Sequence, residues 1–389
     1  MFWEEHVQKL AATIASIFAL GLTLPMTAMA AEAAPKFQSG QVVAPLYRAN
    51  LYVRNIDSAL KLYRDILKLK VVSDGAWDPK EHGLKTDVTM REVILSAGNP
   101  ALGNLALYEI KGQKEPVMAA FLEPFGHTGD VATVWSTRDI WNISDEVKKA
   151  GFVVLSPPVT LLENPDMLVQ SVEMQFRDAD GFLVNILQGG IRKDAPEAKT
   201  VKIPDQKPEV MGTRENTSSE ARMVRFVSKA TAEPVYPGQR LTPMNRTTTF
   251  GRDRDKSLQF YRDILGTNQL MSNYWKGIGI NRIKNVHDLE QWAVILMMGD
   301  SQNGNIGVYQ LYLEKVTFRP PNNAPVPQVG DRGLVLVTSD IQGLHKKYKD
   351  AGFQVLVPPT AVKSTGTTEM MIRDPDGTIA TFRQSTPSK

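Results

Sequence analysis

The chain has 389 residues, with 45 Lys and Arg against 42 Asp and Glu and a formal net charge of +3. This length predicts two or three domains, and a hydrophobic fraction of 42% excludes a mostly disordered chain. No concentrated basic stretch is present, so nucleic acid is not expected as a partner. Cysteine is absent, which excludes disulfides, zinc–thiolate sites, iron–sulfur clusters and cysteine nucleophiles.

The first thirty residues have the pattern of a secretory signal peptide. A short apolar stretch follows Lys9 and ends at Pro25, and Ala28-Met29-Ala30 then provides a small-x-small cleavage site. We therefore predict a signal peptide over residues 1–30 and a periplasmic or secreted mature protein without a membrane span. An uncleaved anchor helix is the alternative.

The chain repeats itself. Tyr63-Arg64-Asp65-Ile66-Leu67 returns unchanged as Tyr261-Arg262-Asp263-Ile264-Leu265, and Arg177-Asp178-Ala179-Asp180-Gly181 returns as Arg373-Asp374-Pro375-Asp376-Gly377, each about 200 residues later. Collinear matches of this kind indicate two copies of one module. The predicted boundaries are 37–192 and 235–387, with a linker rich in Pro, Lys and Glu over 193–234. Within the linker, 223–227 is expected to pack as a strand.

Hydrophobic periodicity predicts the same order of elements twice within each module. Asn55 or Asp57 is expected to cap the first helix. The Asp-x-Asp-Gly sequences predict hairpin turns, so their aspartates are interpreted as turn formers. In the first module the predicted elements are a strand 46–54, a helix 57–67, strands 69–74, 87–97 and 104–110, then a strand 131–137, a helix 140–150, and strands 152–155, 169–177 and 182–188.

Three motifs carry a resemblance to a known family: the tyrosine-ended first helix, Ala150-Gly151-Phe152 after the second helix, and the Asp-x-Asp-Gly hairpin followed by Gln188 or Gln384. In this order and spacing the chain resembles the vicinal oxygen chelate superfamily, which includes glyoxalase, extradiol dioxygenases and bleomycin- or fosfomycin-resistance proteins. The resemblance implies an α+β fold of tandem modules, in which four βαβββ units form two half-open barrels, each around a ligand site. It also implies that the modules pair as an internal pseudo-dimer, in a chain that is a monomer or a homodimer.

The resemblance also implies where a metal would be bound. The matching positions hold Arg48, Ala132 and Asn185 in the first copy and Arg246, Gly333 and Thr381 in the second, and of the expected acids only Glu109 remains. A divalent ion needs three or four converging N or O donors, and an arginine repels it. We therefore predict no metal and no cofactor, and metal-dependent glyoxalase or dioxygenase activity is the least expected function.

Seven residues are candidate ligand contacts. The arginines offer a planar fork suited to carboxylate or phosphate, and strand alternation places Arg48 and Asn50 on one face. The alternative for Arg48 is pairing with an internal acid such as Glu109. The candidate ligand-binding residues are Arg48, Asn50, Tyr108, Asn185, Arg246, Tyr309 and Thr381.

The catalytic candidates are Tyr108, Glu109 and His127, which could act as acid or base. The competing interpretations are a core tyrosine, a partner of Arg48 and a surface histidine. His82, His287 and His345 are predicted to be surface histidines. The sequence thus predicts an exported protein that binds a small anionic or aromatic molecule without a metal. The alternative is a metal-independent lyase, isomerase or hydrolase acting on a small organic substrate.

Overall fold

A computed structural model describes most of the chain after the first thirty residues. It covers residues 37, 40–113, 130–160, 167–169, 172–189, 191–192, 224–225, 233–276, 281, 289–299, 301–312 and 324–385. The predicted signal peptide, His127 and His287 lie outside the described residues. No helix in the described part of the chain combines the length and apolarity needed to cross a bilayer.

The first half of the chain contains two βαβββ units and three short strands. The first unit comprises β1 (Arg48–Val53), α1 (Ile56–Leu60, continued by a π-helical turn over Lys61–Ile66), β2 (Lys70–Trp77), β3 (Met90–Ser96) and β4 (Asn104–Ile110). The second comprises β5 (Val131–Ser136), α2 (Ile140–Lys149) and β6 (Val153–Thr160), and, after the short strand β7 (Met167–Val169), β8 (Val172–Arg177) and β9 (Leu183–Gln188). The other short strands are β10 (Ile191–Arg192), which pairs with β7, and β11 (Val224–Arg225).

The second half repeats this order. The third unit comprises β12 (Arg246–Phe250), α3 (Arg254–Leu258, continued by a π-helical turn over Gln259–Asp263), β13 (Asn268–Lys276), β14 (Glu290–Met297) and β15 (Asn305–Tyr312). The fourth comprises β16 (Arg332–Val337), α4 (Ile341–Asp350), β17 (Val355–Val362), β18 (Thr367–Arg373) and β19 (Ile379–Ser385). The predicted α+β class with four βαβββ units is confirmed. The strand expected within the linker is also confirmed, since β11 pairs antiparallel with β13.

The two large sheets each take one unit from each module. One has eight strands in the order β17-β18-β19-β16-β1-β4-β3-β2, and the other has nine in the order β11-β13-β14-β15-β12-β5-β9-β8-β6. Their central junctions are the antiparallel pairs β1–β16 and β12–β5. Two tandem modules that each form one barrel are expected to pair β1 with β5 of the same module. The structure corrects this, because the edge of β1 meets β16 of the other copy instead of β5.

Alternation along the strands separates two kinds of apolar surface. One face of each sheet contributes to a core shared with the helices, which includes Leu51, Leu107, Val184 and Phe382. The opposite faces carry two smaller clusters, one on the eight-stranded sheet around Tyr52 and Tyr108 and one on the nine-stranded sheet around Phe250 and Tyr309. The predicted ligand contacts lie on these opposite faces.

The repeated tyrosine and the repeated hairpin meet in the core. The Tyr63 hydroxyl donates to Asp178 Oδ2 at 2.9 Å, and the Tyr261 hydroxyl donates to Asp374 at 2.7 Å. Asp178 Oδ1 also accepts the backbone N–H groups of residues 180 and 182, as expected of a turn former. The two repeated motifs therefore form the same buried contact in both copies.

The first helix of each module begins at a short polar cap. The Asn55 side chain accepts the backbone N–H of Ser58 at 2.8 Å, so Asn55 and not Asp57 is the capping residue of α1. In the second copy Asp253 accepts from the backbone of Asp255 and Lys256. Each cap satisfies N–H groups that have no partner within the helix, and it fixes the point where strand β1 or β12 turns away from the sheet.

Candidate functional site

Cleft A is the concave face of the eight-stranded sheet, and Arg48 lies at its centre. Arg48, Asn50 and Tyr52 alternate with Leu51 and Val53, which belong to the shared core. Along the sheet, Arg48 has Asn104 of β4 on one side and Val335 of β16 on the other, and Val335 in turn pairs with Thr381. Arg48, Asn50, Tyr108 and Thr381 therefore share one cleft, although Thr381 belongs to the other module.

Arg48 is paired with an internal acid. Its guanidinium contacts Glu92 at 3.1 Å, donates to the Tyr108 hydroxyl at 2.7 Å and donates through Nε to Asn50 at 3.0 Å. The Tyr108 hydroxyl in turn donates to Glu92. Burial alone would lower the pKa of Arg48, but Tyr108 and Glu92 outweigh it and the pKa is raised. Arg48 in cleft A is thus neutralised by a carboxylate of the protein itself.

Aromatic rings form one wall of cleft A. Tyr52 stacks on Tyr108 with ring centroids 5.0 Å apart, Trp77 meets the edge of Tyr108 at 5.3 Å, and Trp77 stacks on His82 at 4.6 Å. Burial raises the pKa of Tyr108 well above its ordinary value, and Glu92 adds to this rise against the opposing effect of Arg48. The hydroxyl therefore stays protonated and acts as a hydrogen-bond donor.

A second ion-paired group lies in the same cleft around Glu369 of β18. Its carboxylate accepts from Arg383 at 2.8 Å and contacts His82 Nδ1 at 2.7 Å. Burial alone would raise the pKa of Glu369, but the His82 hydrogen bond and the Arg383 charge outweigh it and lower the pKa to about 2. Since Glu369 lies in the second module and His82 in the first, this contact joins the two modules across cleft A.

The lowered pKa of Glu369 predicts a loss of stability in acid. A carboxyl group whose pKa is lower in the folded than in the unfolded state stabilises the fold above the unfolded value of about 4.3. That contribution, about 3 kcal/mol for this shift, is lost as pH falls from about 4.5 towards 2. We expect the free energy of unfolding to fall over this range. In Glu369→Gln the acid-dependent loss should be smaller by a similar amount, as measured by urea titrations at each pH. An unchanged pH profile would contradict this assignment.

Cleft B is the equivalent face of the nine-stranded sheet and contains Arg246, Thr248, Tyr309 and Asn185. The half-buried Arg246 donates to Asn245 at 2.8 Å and to the Tyr309 hydroxyl at 3.4 Å. Ala293 pairs with Tyr309 where Glu92 pairs with Tyr108 in cleft A. As a result, no carboxylate among the described residues pairs with Arg246, in contrast to Arg48.

The carboxylate of cleft B lies on the other half of the sheet. Glu173 Oε1 accepts from Asn185 at 2.7 Å and from Gln175 at 2.9 Å. Burial raises the pKa of Tyr309, which Arg246 opposes and Glu173 supports. Several buried polar atoms on this face have no hydrogen-bond partner: Arg246 Nε, Thr248 Oγ1, Asn185 Oδ1, Gln175 Oε1, and both amide atoms of Gln291.

Two expectations about site residues were wrong. Glu109 follows Tyr108 on β4 and therefore points to the opposite face, where its Oε2 accepts the Ile56 N–H at 2.8 Å. It caps α1, and the acid that pairs with Arg48 is Glu92. His82, expected at the surface, is only 6% exposed and lies in cleft A. Its partner is about 290 residues away in the sequence, so no local pattern could reveal the contact. Asn185 of the first module lies in cleft B with Arg246, and Thr381 of the second module lies in cleft A with Arg48.

The residues at the metal-ligand positions do not fit a divalent ion. In cleft A these positions hold Arg48, Gly333 and Thr381, and in cleft B they hold Arg246, Ala132 and Asn185. Each cleft thus offers a guanidinium, a hydrogen or methyl group, and one neutral oxygen. A divalent ion requires three or four donors, and this set does not provide them. The arginine also places a positive charge beside the position that a metal would occupy.

Comparisons with known proteins agree on the fold. Residues 244–381 match the family model described as Glyoxalase/Bleomycin resistance protein/Dioxygenase superfamily. A mutant of glyoxalase I from Zea mays is similar in structure, with a TM-score of 0.52 and 15% identity over 87% of this chain and 93% of that one. Glyoxalase I from Zea mays has a TM-score of 0.51 and 14% identity, over 87% and 92%. No curated protein sequence matches the chain. At these identities the structural likeness concerns the fold alone.

Proposed function

We propose that the chain, whose residues 244–381 match the model of the Glyoxalase/Bleomycin resistance protein/Dioxygenase superfamily, uses the two clefts to bind a small organic molecule without a divalent metal. The observation that carries the proposal is the arginine at the first metal-ligand position of each cleft. Arg48 is held by Glu92 and Tyr108, and Arg246 contacts Tyr309. The export predicted from the first thirty residues is part of the same proposal and would place this binding in the periplasm or outside the cell.

Both clefts offer what a small organic ligand needs. Apolar and aromatic walls provide most of the contact area in such sites, and a few fixed polar groups orient the ligand. Cleft A has the rings of Tyr52, Tyr108 and Trp77, and cleft B has Phe250 and Tyr309 in edge-to-face contact at 5.6 Å. This supports an aromatic ligand in cleft A and an aromatic or acidic one in cleft B.

A metal-independent lyase or isomerase is the second candidate, and the pair of His82 and Glu369 supports it. A carboxylate in contact with Nδ1 orients the imidazole ring and leaves Nε2 to face a ligand, as in a histidine that acts as a general base. The Tyr108 hydroxyl, kept protonated, could serve as the acid in the same cleft. Recovery of the bound molecule by native mass spectrometry, followed by incubation with the protein, separates the candidates. An unchanged molecule supports binding, whereas conversion that is lost in His82→Asn supports catalysis.

If the protein binds its ligand without a metal, a chelator should not change its thermal stability. A metal that binds only the folded state stabilises it by mass action, so its removal would lower the melting temperature. We expect the purified protein to contain no stoichiometric zinc, iron, nickel or manganese by elemental analysis, and its melting temperature to stay the same with EDTA or with each added metal. One equivalent of metal, lost together with stability on chelation, would contradict the proposal.

A further inference from the structure

Among the described residues, cleft B contains more buried polar atoms without a hydrogen-bond partner than cleft A, where Asn104 Oδ1 is such an atom. In cleft A each charged group described above has a partner of opposite charge or a hydrogen bond. In cleft B an arginine nitrogen, a threonine hydroxyl and several amide oxygens have none. A buried polar atom without a partner costs about 1–3 kcal/mol, and such atoms are uncommon in native proteins unless a ligand or water completes them. The two clefts are therefore not equivalent sites.

The unsatisfied atoms of cleft B separate into a donor end and an acceptor end. The donor end is Arg246, whose Nε has no acceptor and whose charge no described carboxylate neutralises. The acceptor end is formed by Glu173, Asn185 and Gln175. The side-chain amides of Asn185 and Gln175 each donate an N–H to Oε1 of Glu173. The oxygens of both amides have no donor among the described residues. Oε2 of Glu173 can accept a hydrogen bond from a ligand.

The register of the sheet brings the two ends opposite each other. Arg246 of β12 pairs with Val134 of β5, Val134 pairs with Asn185 of β9, and Asn185 pairs with Gln175 of β8. Neighbouring strands are about 4.8 Å apart, so the backbones of Arg246 and Asn185 are separated by about 10 Å. Thr248 lies next along β12 on the same face. Apolar groups that include Phe250, Ile295 and Leu311 cover the rest of the face.

We infer that cleft B binds a small organic carboxylate that also carries a hydroxyl or amino group. The carboxylate meets Arg246 and the Tyr309 hydroxyl, as the guanidinium fork favours. The hydroxyl or amino group donates to Glu173 Oε2 and the amide oxygen of Asn185, and the apolar part of the ligand contacts Phe250 and Ile295. This inference rests on the proposed function, since it assigns a chemical class of ligand to one of the two clefts.

The test uses three probes that differ in one group each: mandelate, with a ring, a carboxylate and a hydroxyl; phenylacetate, without the hydroxyl; and benzyl alcohol, without the carboxylate. Isothermal titration of the full-length protein should rank mandelate first. Arg246→Met should weaken mandelate at least about 30-fold, as expected for removing one partner of a buried charge pair, and should leave benzyl alcohol unchanged. Glu173→Gln should reduce the preference for mandelate over phenylacetate.

A matched control removes the same charge outside the cleft. Arg254 begins α3 and lies over the Trp292 ring at 4.4 Å, so Arg254→Met should leave mandelate binding unchanged. The inference is overturned if neither carboxylate binds, if benzyl alcohol binds as tightly as mandelate, or if Arg246→Met binds mandelate normally. A neutral molecule recovered from a chelator-insensitive protein, and bound more weakly by Glu173→Gln, would overturn this inference and leave the proposed function standing.

Discussion

Asp130→Ala is expected to lower the free energy of unfolding by about 3–5 kcal/mol, as removal of one partner from a buried ion pair does. Asp130 precedes β5 and contacts two buried arginines, Arg177 at 3.0 Å and Arg332 at 2.5 Å. Burial lowers the pKa of Arg332, and Arg177 adds to this against the opposing effect of Asp130. Without the carboxylate, two neighbouring positive charges remain buried where the two sheets meet.

The repeat supplies a control for this prediction. Asp331 occupies the matching place before β16, and the arginine that it contacts among the described residues is Arg373, at a longer distance of 3.4 Å. Val131 stands where the other copy has Arg332. Asp331→Ala should therefore cost less than Asp130→Ala. Urea unfolding of both variants gives the comparison, with the slope m reporting whether the transition remains cooperative. A cost below about 1 kcal/mol for Asp130→Ala would show that the arginines are neutralised by other groups.

Glu92→Ala is the second large effect that we expect, again about 3–5 kcal/mol. The substitution removes the carboxylate that pairs with Arg48, whose side chain is 7% exposed, and the acceptor of the Tyr108 hydroxyl. The structure already contains a natural comparison. Ala293 holds the matching position in cleft B, where Arg246 is half-buried and reaches only neutral partners.

A double-mutant cycle distinguishes a broken charge pair from a simple loss of packing. Replacing both charges of a buried ion pair by apolar groups often leaves the stability of the fold unchanged or increases it. Arg48→Met combined with Glu92→Ala should therefore recover most of the stability lost in Glu92→Ala alone. Thermal and urea unfolding of the two single variants and the double variant give the coupling energy. A double variant as unstable as the sum of the single variants would mean that Arg48 and Glu92 do not act as a pair.

The two clefts illustrate how duplicated sites diverge under the same backbone. Each retains an arginine at the first metal-ligand position and a tyrosine on the neighbouring strand, but Glu92 is matched by Ala293 and Arg383 is matched by Leu187. These two differences determine whether the arginine and the glutamate of a cleft are satisfied within the protein. In cleft A they are, and in cleft B the corresponding groups are left for a ligand.

The sequence by itself determined the repeat, the order βαβββ in each unit, the turn-forming aspartates and the face of β1 on which Arg48 lies. These features depend on local periodicity and short motifs, and a duplicated pattern makes them visible twice. The metal-ligand positions could be read in the same way, because each lies at a fixed spacing from a motif. The side of the sheet on which Glu109 lies could also be inferred, because it follows Tyr108 in the predicted strand 104–110 and alternation places the two side chains on opposite faces. Only its hydrogen bond to the Ile56 N–H required the structure.

Only the tertiary structure decided which units share a sheet. The copies have similar edges, so β1 could pair with β5 or β16 with nearly the same hydrogen bonds, and no local pattern distinguishes these choices. The choice of β16 brings Thr381, Glu369 and Arg383 to Arg48, and the choice of β5 for β12 brings Asn185 and Glu173 to Arg246. The content of each cleft is therefore a long-range property, because it is decided by contacts between residues that lie one module apart in the chain.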